Sequence, residues 1–291
     1  MPTSKPSQLK LHRMRRHGSD APGKRGAEAP TAQKATAILQ GRLGSTRLPG
    51  KVMLDLAGKP VMQHVYERIL RCRNIDRIIV ATSTDAKDDP IALLFGGLGV
   101  TVFRGSESDP LDRYYQAATW YGLSHIVRIM ADCPLVDPVV VDEVIAVHFD
   151  GGHDFSMLSG SFPVGLDTTV YAYDALMRCW QEANRLSERE HIFPYITHHP
   201  ELFDIGTLEK NWGASQLRWV MDHEVDYRFV TSVYDALYTP GKVFLSPDVL
   251  ALLDAHPQLA SLNAGIPRDE GIREAIRKEQ AAMASRAAST G

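Results

Sequence analysis

A loop at residues 41–51, with the sequence GRLGSTRLPGK, gathers the residue types that bind phosphate groups. Fixed positive charge neutralises phosphate oxygens, and glycine lets backbone N–H groups approach them closely. The loop's cations are Arg42, Arg47 and Lys51, and its small residues include Gly41, Gly44, Ser45 and Thr46. It matches neither the GxxxxGK[ST] phosphate loop nor the GxGxxG dinucleotide fingerprint. Composition alone therefore leaves a triphosphate site and a solvated basic turn equally open.

Two aspartates, Asp132 and Asp222, each follow a predicted strand. In a doubly wound sheet the carboxyl ends of the strands meet at one edge, so we expect both carboxylates there. One or two carboxylates, with waters and phosphate oxygens, are enough to hold Mg²⁺. The alternative is that each aspartate caps the helix that follows, which is our interpretation of Asp137 before Pro138.

A third group of polar side chains follows the second and third predicted strands, where a base and a ribose would lie beside the loop. Its members are Thr82, Ser83, Asp85, Arg104, Ser106, Asp112 and Arg113. Arg113 has the alternative of a surface ion pair with Asp109 or Asp112. These residues do not distinguish one nucleoside triphosphate from another.

Candidates for binding an acceptor substrate lie farther along the chain. They are Gly165, Asp167, Arg189, Glu190 and His191. A cation aimed at an acceptor carboxylate would explain Arg189. His191 also fits an ordinary helix position, because residues 187–190 form a helix start with Ser187 as the capping residue.

Short apolar strands alternate with helices through the first half of the chain. Strands are predicted at 35–40, 77–82, 100–103 and 125–130, and helices begin at Pro60, Pro90 and Pro110. This alternation predicts an α/β fold with a doubly wound, Rossmann-like, mostly parallel sheet. A last strand is predicted at 217–221, directly before Asp222.

The chain divides into a tail, a main domain and an appendage. Residues 1–34 are basic and rich in Gly, Pro, Ser and Ala, so we interpret them as a disordered tail. A nucleic-acid or membrane arm and a transit peptide are the alternatives. The main domain is predicted at 35–245, with an α+β insertion over the sheet at about 150–209. Residues 246–291 are predicted to be a C-terminal helical appendage and tail.

Composition narrows the class of protein. A formal net charge of -3 gives no global electrostatic argument for nucleic acid or a membrane surface as partner. The three cysteines lack CxxC spacing, so neither a disulfide framework nor a zinc site is indicated. No apolar run approaches the roughly 20 residues of a membrane span, and no secretory signal is evident. We therefore expect a cytoplasmic protein.

The loop and the segments after it resemble one family. GRLGSTRLPGK, followed by LDLAGKPVMQHVYERI, resembles the N-terminal signature of the cytidylyltransferases that activate acidic sugars. Within that superfamily the chain is most similar to the spore coat polysaccharide biosynthesis protein F type, relatives of CMP-Kdo synthetase and acylneuraminate cytidylyltransferase. The resemblance continues in matching order through VATSTDAKDDPI, VFRGSESDPLDRYYQAA, VRIMADCPLVDP, SEREHIFPYI and LRWVMDHEVDYRFV.

Three residues depart from the family's usual pattern. Gly41 stands where the family usually has alanine, and Ala131 stands where it usually has glycine; neither of these departures removes a charged group. Val164 stands where related proteins often have an acidic residue, so the resemblance does not identify the acceptor.

The resemblance implies a nucleotide-diphospho-sugar transferase type of fold and a Mg²⁺-dependent nucleotidyltransferase. An acceptor hydroxyl would attack the α-phosphate of CTP, and pyrophosphate would leave. Asp132 and Asp222 would bind the metal. The leaving pyrophosphate would be stabilised by Arg42, Arg47 and Lys51.

The resemblance also implies sets of binding residues. The implied nucleotide-binding residues are Gly41, Arg42, Gly44, Ser45, Thr46, Arg47, Lys51, Thr82, Arg104, Ser106, Arg113 and Asp132. The residues implied for a small acidic, sugar-like acceptor are Gly165, Asp167, Arg189 and His191. A homodimer formed through the insertion is expected as well.

Two other functions compete with this hypothesis. A glycosyltransferase of similar build would use an Asp-x-Asp after a strand, which none of the predicted strands provides. A non-catalytic nucleotide-binding module would keep the cavity without the metal, and the presence of both Asp132 and Asp222 argues against it.

Overall fold

The computed structural model describes residues 33–210 and 212–289. The predicted tail at residues 1–34 lies outside the described residues, apart from Gln33 and Lys34. The strands are β1 (Ala35–Gln40), β2 (Asp55–Leu56), β3 (Lys59–Pro60), β4 (Ile75–Ser83), β5 (Thr101–Gly105), β6 (His125–Met130), β7 (Phe155–Leu158), β8 (Thr169–Ala172) and β9 (Ile205–Leu208). The helices are α1 (Val61–Ile69), α2 (Asp89–Gly97), α3 (Pro110–Trp120), α4 (Pro138–Gly151), α5 (Tyr173–Glu182), α6 (Leu186–His191), α7 (Pro194–His198), α8 (Glu224–Leu237), α9 (Ser246–Ala255), α10 (Pro257–Ala260) and α11 (Glu270–Ser289).

One sheet runs through the molecule in the order β5-β4-β1-β6-β8-β7-β9. Strands β5, β4, β1 and β6 are parallel neighbours, and β7 pairs in parallel with β9. Strand β8 is antiparallel to both β6 and β7. The predicted α/β class with a mostly parallel sheet is confirmed.

Helices cover both faces of the sheet, because its central strands are apolar on both sides. In β1, Leu39 lies in a core with residues of α1, α4 and α8. Its neighbour Ile38 lies in a second core with residues of α3, α5 and α7. Both side chains are fully buried. The carboxyl ends of β1 and β6 are therefore held at the same level between two layers of helices.

The predicted insertion at about 150–209 differs from its expected position over the sheet. Its strands β7, β8 and β9 instead extend the main sheet beyond β6. The sequence indicates strand-like pieces at 155–159 and 168–173, which correspond to β7 and β8, whereas β9 was not predicted. The helix start expected at residues 187–190 lies in α6, which ends at His191 because Ile192 adopts a φ of 71° between α6 and α7.

The strand predicted at 217–221 is wrong. Among the described residues, Arg218 forms only an isolated bridge to Val164. The edge of β6 is already taken by β8, where Arg128 pairs with Thr169. The segment meets the β6 chain only beyond the strand end, where the Met221 N–H donates to the Asp132 carbonyl at 2.8 Å.

The C-terminal segment is helical to Ser289, so the predicted tail after the appendage begins inside α11. Helix α11 packs against α6. None of the described helices is both long and apolar enough to cross a membrane.

Candidate active site

The loop after β1 is fixed by hydrogen bonds to the end of β4. The buried carboxylate of Asp88 accepts from the Leu43 N–H at 2.7 Å and from the Ser83 hydroxyl. Gly50, with a φ of 68°, ends the loop in the left-handed region that favours glycine. A 3₁₀ turn at Lys51–Met53 follows and turns Lys51 back toward the sheet edge.

Lys51 joins the two aspartates that the sequence singles out. Its Nζ donates to Asp222 Oδ1 at 2.6 Å and also to Asp132 Oδ2. The Lys51 side chain is 11% exposed, and each aspartate side chain is 17% exposed. Two carboxylates therefore converge on one cation at a largely desolvated sheet edge.

The charges around Asp222 and Lys51 keep these two groups ionised. Burial alone would raise the pKa of Asp222, but Lys51, Arg47 and Arg218 outweigh it and lower that pKa well below its usual range. Burial alone would lower the pKa of Lys51, but Asp132 and Asp222 raise it above its usual value. The carboxylate of Asp222 is thus negative, and the Lys51 ammonium positive, throughout the ordinary pH range.

Arg218 and Asp226 hold Asp222 in place. The buried Asp226 carboxylate accepts from the N–H groups of Asp222 and His223, each at 3.0 Å. Arg218 donates to Asp222 Oδ2 at 3.2 Å and to Asp226 Oδ1 at 3.0 Å. Sequence reasoning missed both residues, although the spacing Arg218, Asp222, Asp226 was the available signal.

The two arginines of the loop are paired with acidic side chains. Arg47 lies 3.2 Å from Asp222 Oδ1 and also pairs with Glu274 of α11. Arg42 lies 3.7 Å from the carboxylate of Glu107. Both guanidinium groups are about one third exposed or less, so a ligand can reach them from the cavity.

A cavity of about 540 Å³ opens beside the loop and the two aspartates. It brings together many of the predicted residues, namely Arg42, Gly44, Ser45, Thr46, Arg47, Lys51, Asp132, Asp167, Glu190, His191 and Asp222. Among the described residues, no group of three or more His, Cys, Asp or Glu side chains is arranged to hold a metal. Two convergent carboxylates remain, which suits an ion that takes its other ligands from water and phosphate.

Several predicted nucleotide-binding residues lie outside this cavity. Arg104 donates to the carbonyls of Ser83 and Asp85, at 2.8 and 2.9 Å, and so fixes the turn after β4. Ser106 accepts from the Asp109 N–H, and Thr82 is fully buried. Neither they nor Gly41, Ser83, Asp85 and Asp112 line the cavity.

Arg113 does not form the surface ion pair considered as its alternative role. Its side chain is fully buried, and none of its guanidinium nitrogens has a hydrogen-bond partner among the described residues. Burial, with the nearby charge of Arg42, lowers its pKa. It also lies outside the lining of the cavity.

Some of the residues predicted to bind the acceptor line the cavity, and others do not. Arg189 points away from the cavity, because it donates to Asp109 Oδ2 at 2.6 Å and to the carbonyls of Trp180 and Ala183. Gly165 has a φ of 103° and packs against the Trp219 backbone, where a Cβ would lie 2.5 Å from the carbonyl carbon. Asp167 accepts from the Gly165 N–H at 2.8 Å and lines the cavity.

Another cation of the cavity, Arg128 in the middle of β6, was missed by sequence reasoning. It lines the cavity, although it is only 5% exposed. The available signal was a charged residue inside the otherwise apolar strand His125–Met130. Such residues are expensive to bury unless something pairs with them.

Comparisons with known proteins agree with the geometry. A family model described as cytidylyltransferase matches residues 36–234. The spore coat polysaccharide biosynthesis protein SpsF of Bacillus subtilis is 31% identical over 231 residues, which cover 77% of this chain and 95% of that protein. A 3-deoxy-manno-octulosonate cytidylyltransferase of Geobacter sulfurreducens is 42% identical over 113 residues, which cover 38% of this chain and 44% of that protein.

A solved structure shares the fold. The structure of a cytidylyltransferase from Leptospira borgpetersenii matches with a TM-score of 0.74 at 28% sequence identity, covering 78% of this chain and 97% of that one. The resemblance drawn from the sequence motifs is confirmed.

Proposed function

This chain belongs to the cytidylyltransferase family, and from that premise we propose that it transfers CMP from CTP to a small acidic, sugar-like acceptor with release of pyrophosphate. The observation that carries the proposal is the meeting of Lys51 with Asp132 and Asp222 in a cavity that the loop at 41–51 also lines. A triphosphate fits this loop, since cations and glycine-bordered N–H groups surround the same space.

The residues of the cavity divide the work of the reaction. The acceptor hydroxyl oxygen bonds to the α-phosphorus as the bond to pyrophosphate breaks, and the hydroxyl proton is lost to solvent. Arg42, Arg47 and Lys51 neutralise the charge that develops on the leaving pyrophosphate. Such a reaction depends on positioning and on charge neutralisation more than on covalent help from the protein.

Asp132 and Asp222 fit a Mg²⁺ ion. Their carboxylates converge on one cation, and the charges around Asp222 keep it ionised, as a metal ligand must be. A bound Mg²⁺ would supply charge neutralisation at the phosphate oxygens. Lys51 would then turn from the carboxylates toward the triphosphate.

Relatives support the class of acceptor. One is named for spore coat polysaccharide biosynthesis, and another is named a 3-deoxy-manno-octulosonate cytidylyltransferase. We therefore expect a sugar acid and a place in the synthesis of a surface polysaccharide precursor.

Nucleotide binding and turnover test the proposal together. We expect a Mg²⁺-dependent thermal shift that is larger with CTP than with ATP, GTP or UTP, and pyrophosphate release with a sugar acid. A ligand at 100 times its Kd should stabilise the protein by about 2.7 kcal/mol. Lys51→Ala and Asp132→Asn should each lose about 10²- to 10³-fold in turnover.

Lys59→Ala is the matched control. Lys59 pairs with Glu67 at 2.7 Å outside the cavity, so its loss should leave turnover unchanged. A protein that binds CTP but releases no pyrophosphate with any sugar acid would instead be a non-catalytic module. A larger shift with another triphosphate would overturn the assignment of the base.

A homodimer belongs to the same proposal. Strand β9 ends the sheet on the side of the segment at 150–209, and an edge strand is a surface on which a second chain can pair. Light scattering coupled to size exclusion should give twice the 32.3 kDa mass of the chain. A monomer at micromolar concentration contradicts this part.

A further inference from the structure

Arg128 is a buried cation that lacks a counter-ion in the described part of the chain. Its side chain is 5% exposed, and its only hydrogen bond runs from Nη2 to the Met130 sulfur at 3.1 Å. No carboxylate oxygen of the described residues lies within 4.0 Å of its nitrogens, and its Nε has no partner. A thioether is a weak acceptor, so the guanidinium is left almost unsatisfied.

Three other residues that line the same cavity each carry a buried polar atom without a partner among the described residues. These atoms are Gln40 Oε1, Thr169 Oγ1 and His191 Nε2. Thr169 lies directly beside Arg128 across the β6–β8 ladder. Native proteins leave few buried polar atoms unpaired, because each one costs the free energy of its desolvation. The grouping of these residues with Arg128 around one cavity points to a polar ligand there.

A ligand bound to Arg128 lies at a different end of the cavity from the triphosphate. Arg128 and Met130 lie on one face of β6, and Asp132 follows two residues after the strand ends. A rise of about 3.3 Å per residue puts the Cα atoms of Arg128 and Met130 roughly 7 Å apart. The guanidinium reaches toward Met130 and so toward the carboxylate pair. A molecule bound to Arg128 can therefore extend to the reacting centre without occupying the phosphate loop.

We infer that Arg128 binds the anionic group of the acceptor, with the Thr169 hydroxyl as a second donor. The inference rests on the proposed function, because it assigns the acceptor's carboxylate to this end of the cavity. It replaces Arg189, whose guanidinium is already satisfied by Asp109 and two carbonyls. Guanidinium is suited to the task, since its planar fork matches a carboxylate.

Asp167 and Glu190 also line the cavity and set the polarity of its remaining walls. Carboxylates accept hydrogen bonds from sugar hydroxyls and repel a second anion. The anionic group is therefore directed to Arg128, and the hydroxyls of the acceptor to the two acids. This arrangement selects a polyhydroxylated acid over a neutral sugar.

Arg128→Met tests the inference, with Arg128→Lys as the variant that keeps the charge. With 3-deoxy-manno-octulosonate as probe, Arg128→Met should raise the acceptor KM about 30-fold or more and leave CTP binding unchanged. Arg128→Lys should recover part of the loss. Arg178→Gln is the control, because Arg178 forms an exposed pair with Glu182.

The thermal stability of Arg128→Met shows whether Arg128 binds a ligand or only supports the fold. A buried guanidinium that served the fold would lower the Tm when replaced, whereas an unpaired one costs free energy, so Arg128→Met should keep or raise the Tm. An unchanged acceptor KM, a lower Tm, or a loss of CTP affinity equal to the loss for the acceptor overturns the inference.

A last measurement does not depend on the acceptor's identity. Crystals of the full chain with CTP, soaked in bromide, should show an anomalous peak within hydrogen-bond distance of Arg128, and none there in Arg128→Met. Absence of bromide from the wild-type position overturns the inference. CTP-dependent pyrophosphate release is measured in a separate assay. Failure of the proposed function would appear in that assay, whereas failure of the Arg128 assignment would appear in the crystal.

Discussion

Gly41 and Ala131 share one small space at the ends of β1 and β6. A Cβ on Gly41 would lie 2.8 Å from the Ala131 Cβ and 2.9 Å from the Met62 sulfur. The Ala131 N–H donates to the Gln40 carbonyl at 2.9 Å, so the two backbones cannot separate freely. The family's usual alanine and glycine at these positions are reversed here. One methyl group fills the space in either arrangement, so the two departures compensate for each other.

Gly41→Ala alone should therefore destabilise the protein. Overpacking of a buried contact typically costs about 1 to 3 kcal/mol. The double variant Gly41→Ala with Ala131→Gly should regain most of that loss, which urea unfolding of the four proteins of the cycle would measure. Additive effects of the two substitutions would show that the methyl groups do not compete.

The role of a single residue could be predicted where its type and its position after a strand were sufficient evidence. This was the case for one cation and two acids, Lys51, Asp132 and Asp222, because each follows a predicted strand. Arg189 shows what sequence cannot supply. Its role depends on Asp109, 80 residues away, which takes up its guanidinium. Arg128 was missed because only the fold reveals that its buried position faces a cavity.

At the scale of elements, α11 competes for the loop that would bind triphosphate. Glu274 of α11 pairs with Arg47, and Gly271 lies beside His191 at the cavity. A carboxylate on Arg47 occupies a guanidinium that a phosphate oxygen would use. When CTP binds, a phosphate oxygen must therefore replace the Glu274 carboxylate on Arg47.

Glu274→Gln should tighten CTP binding. Partly exposed ion pairs are worth about 0.2 to 1 kcal/mol, so the Kd should fall by up to about fivefold. Calorimetric titration of CTP measures the change. Glu279→Gln removes the same charge from the same helix, but Glu279 contacts Ser187 and not the loop, so its Kd should stay near the wild-type value. Equal effects of the two variants would mean that only the net charge of α11 matters.

The strand predicted at 217–221 shows how far element prediction reaches. Its apolar residues are buried from Trp219 to Met221 and Leu217 is partly buried, so the sequence pattern was that of a strand. Pairing with β6 was nevertheless decided elsewhere, since β8 from the segment at 150–209 already occupies that edge. The apolar pattern of this segment predicted correctly that it is buried. It could not predict the pairing, because a distant segment, β8, takes the place beside β6.

At the scale of the whole molecule, the buried His148 and the partly buried His125 join a helix to the sheet. His125 Nδ1 lies 3.0 Å from His148 Nε2, and His148 Nδ1 lies 3.3 Å from the Ser156 hydroxyl. These residues belong to β6, α4 and β7. Burial, together with the neighbouring His125, lowers the pKa of His148 to about 4, and burial lowers that of His125 as well.

Stability should consequently fall in mild acid. A histidine with a pKa of about 4 when folded and 6.5 when unfolded binds protons more readily in the unfolded chain. Its contribution is complete above pH 6.5, is lost as the pH falls below that value, and levels off below pH 4. The free energy of unfolding should drop by about 2 kcal/mol between pH 7 and pH 5 from His148 alone.

His148→Gln isolates this contribution. Glutamine keeps a hydrogen-bonding side chain between His125 and Ser156 but does not titrate, so the variant should lose stability at pH 7 and show a flatter dependence on pH. Urea unfolding at pH 7 and pH 5 compares the slopes of the two proteins. Since the histidine pair lies away from the cavity lining, CTP binding at pH 7 should be unaffected. If the variant is as acid-sensitive as the wild type, the cause lies instead with His64 and His191, whose pKa values are also lowered by desolvation.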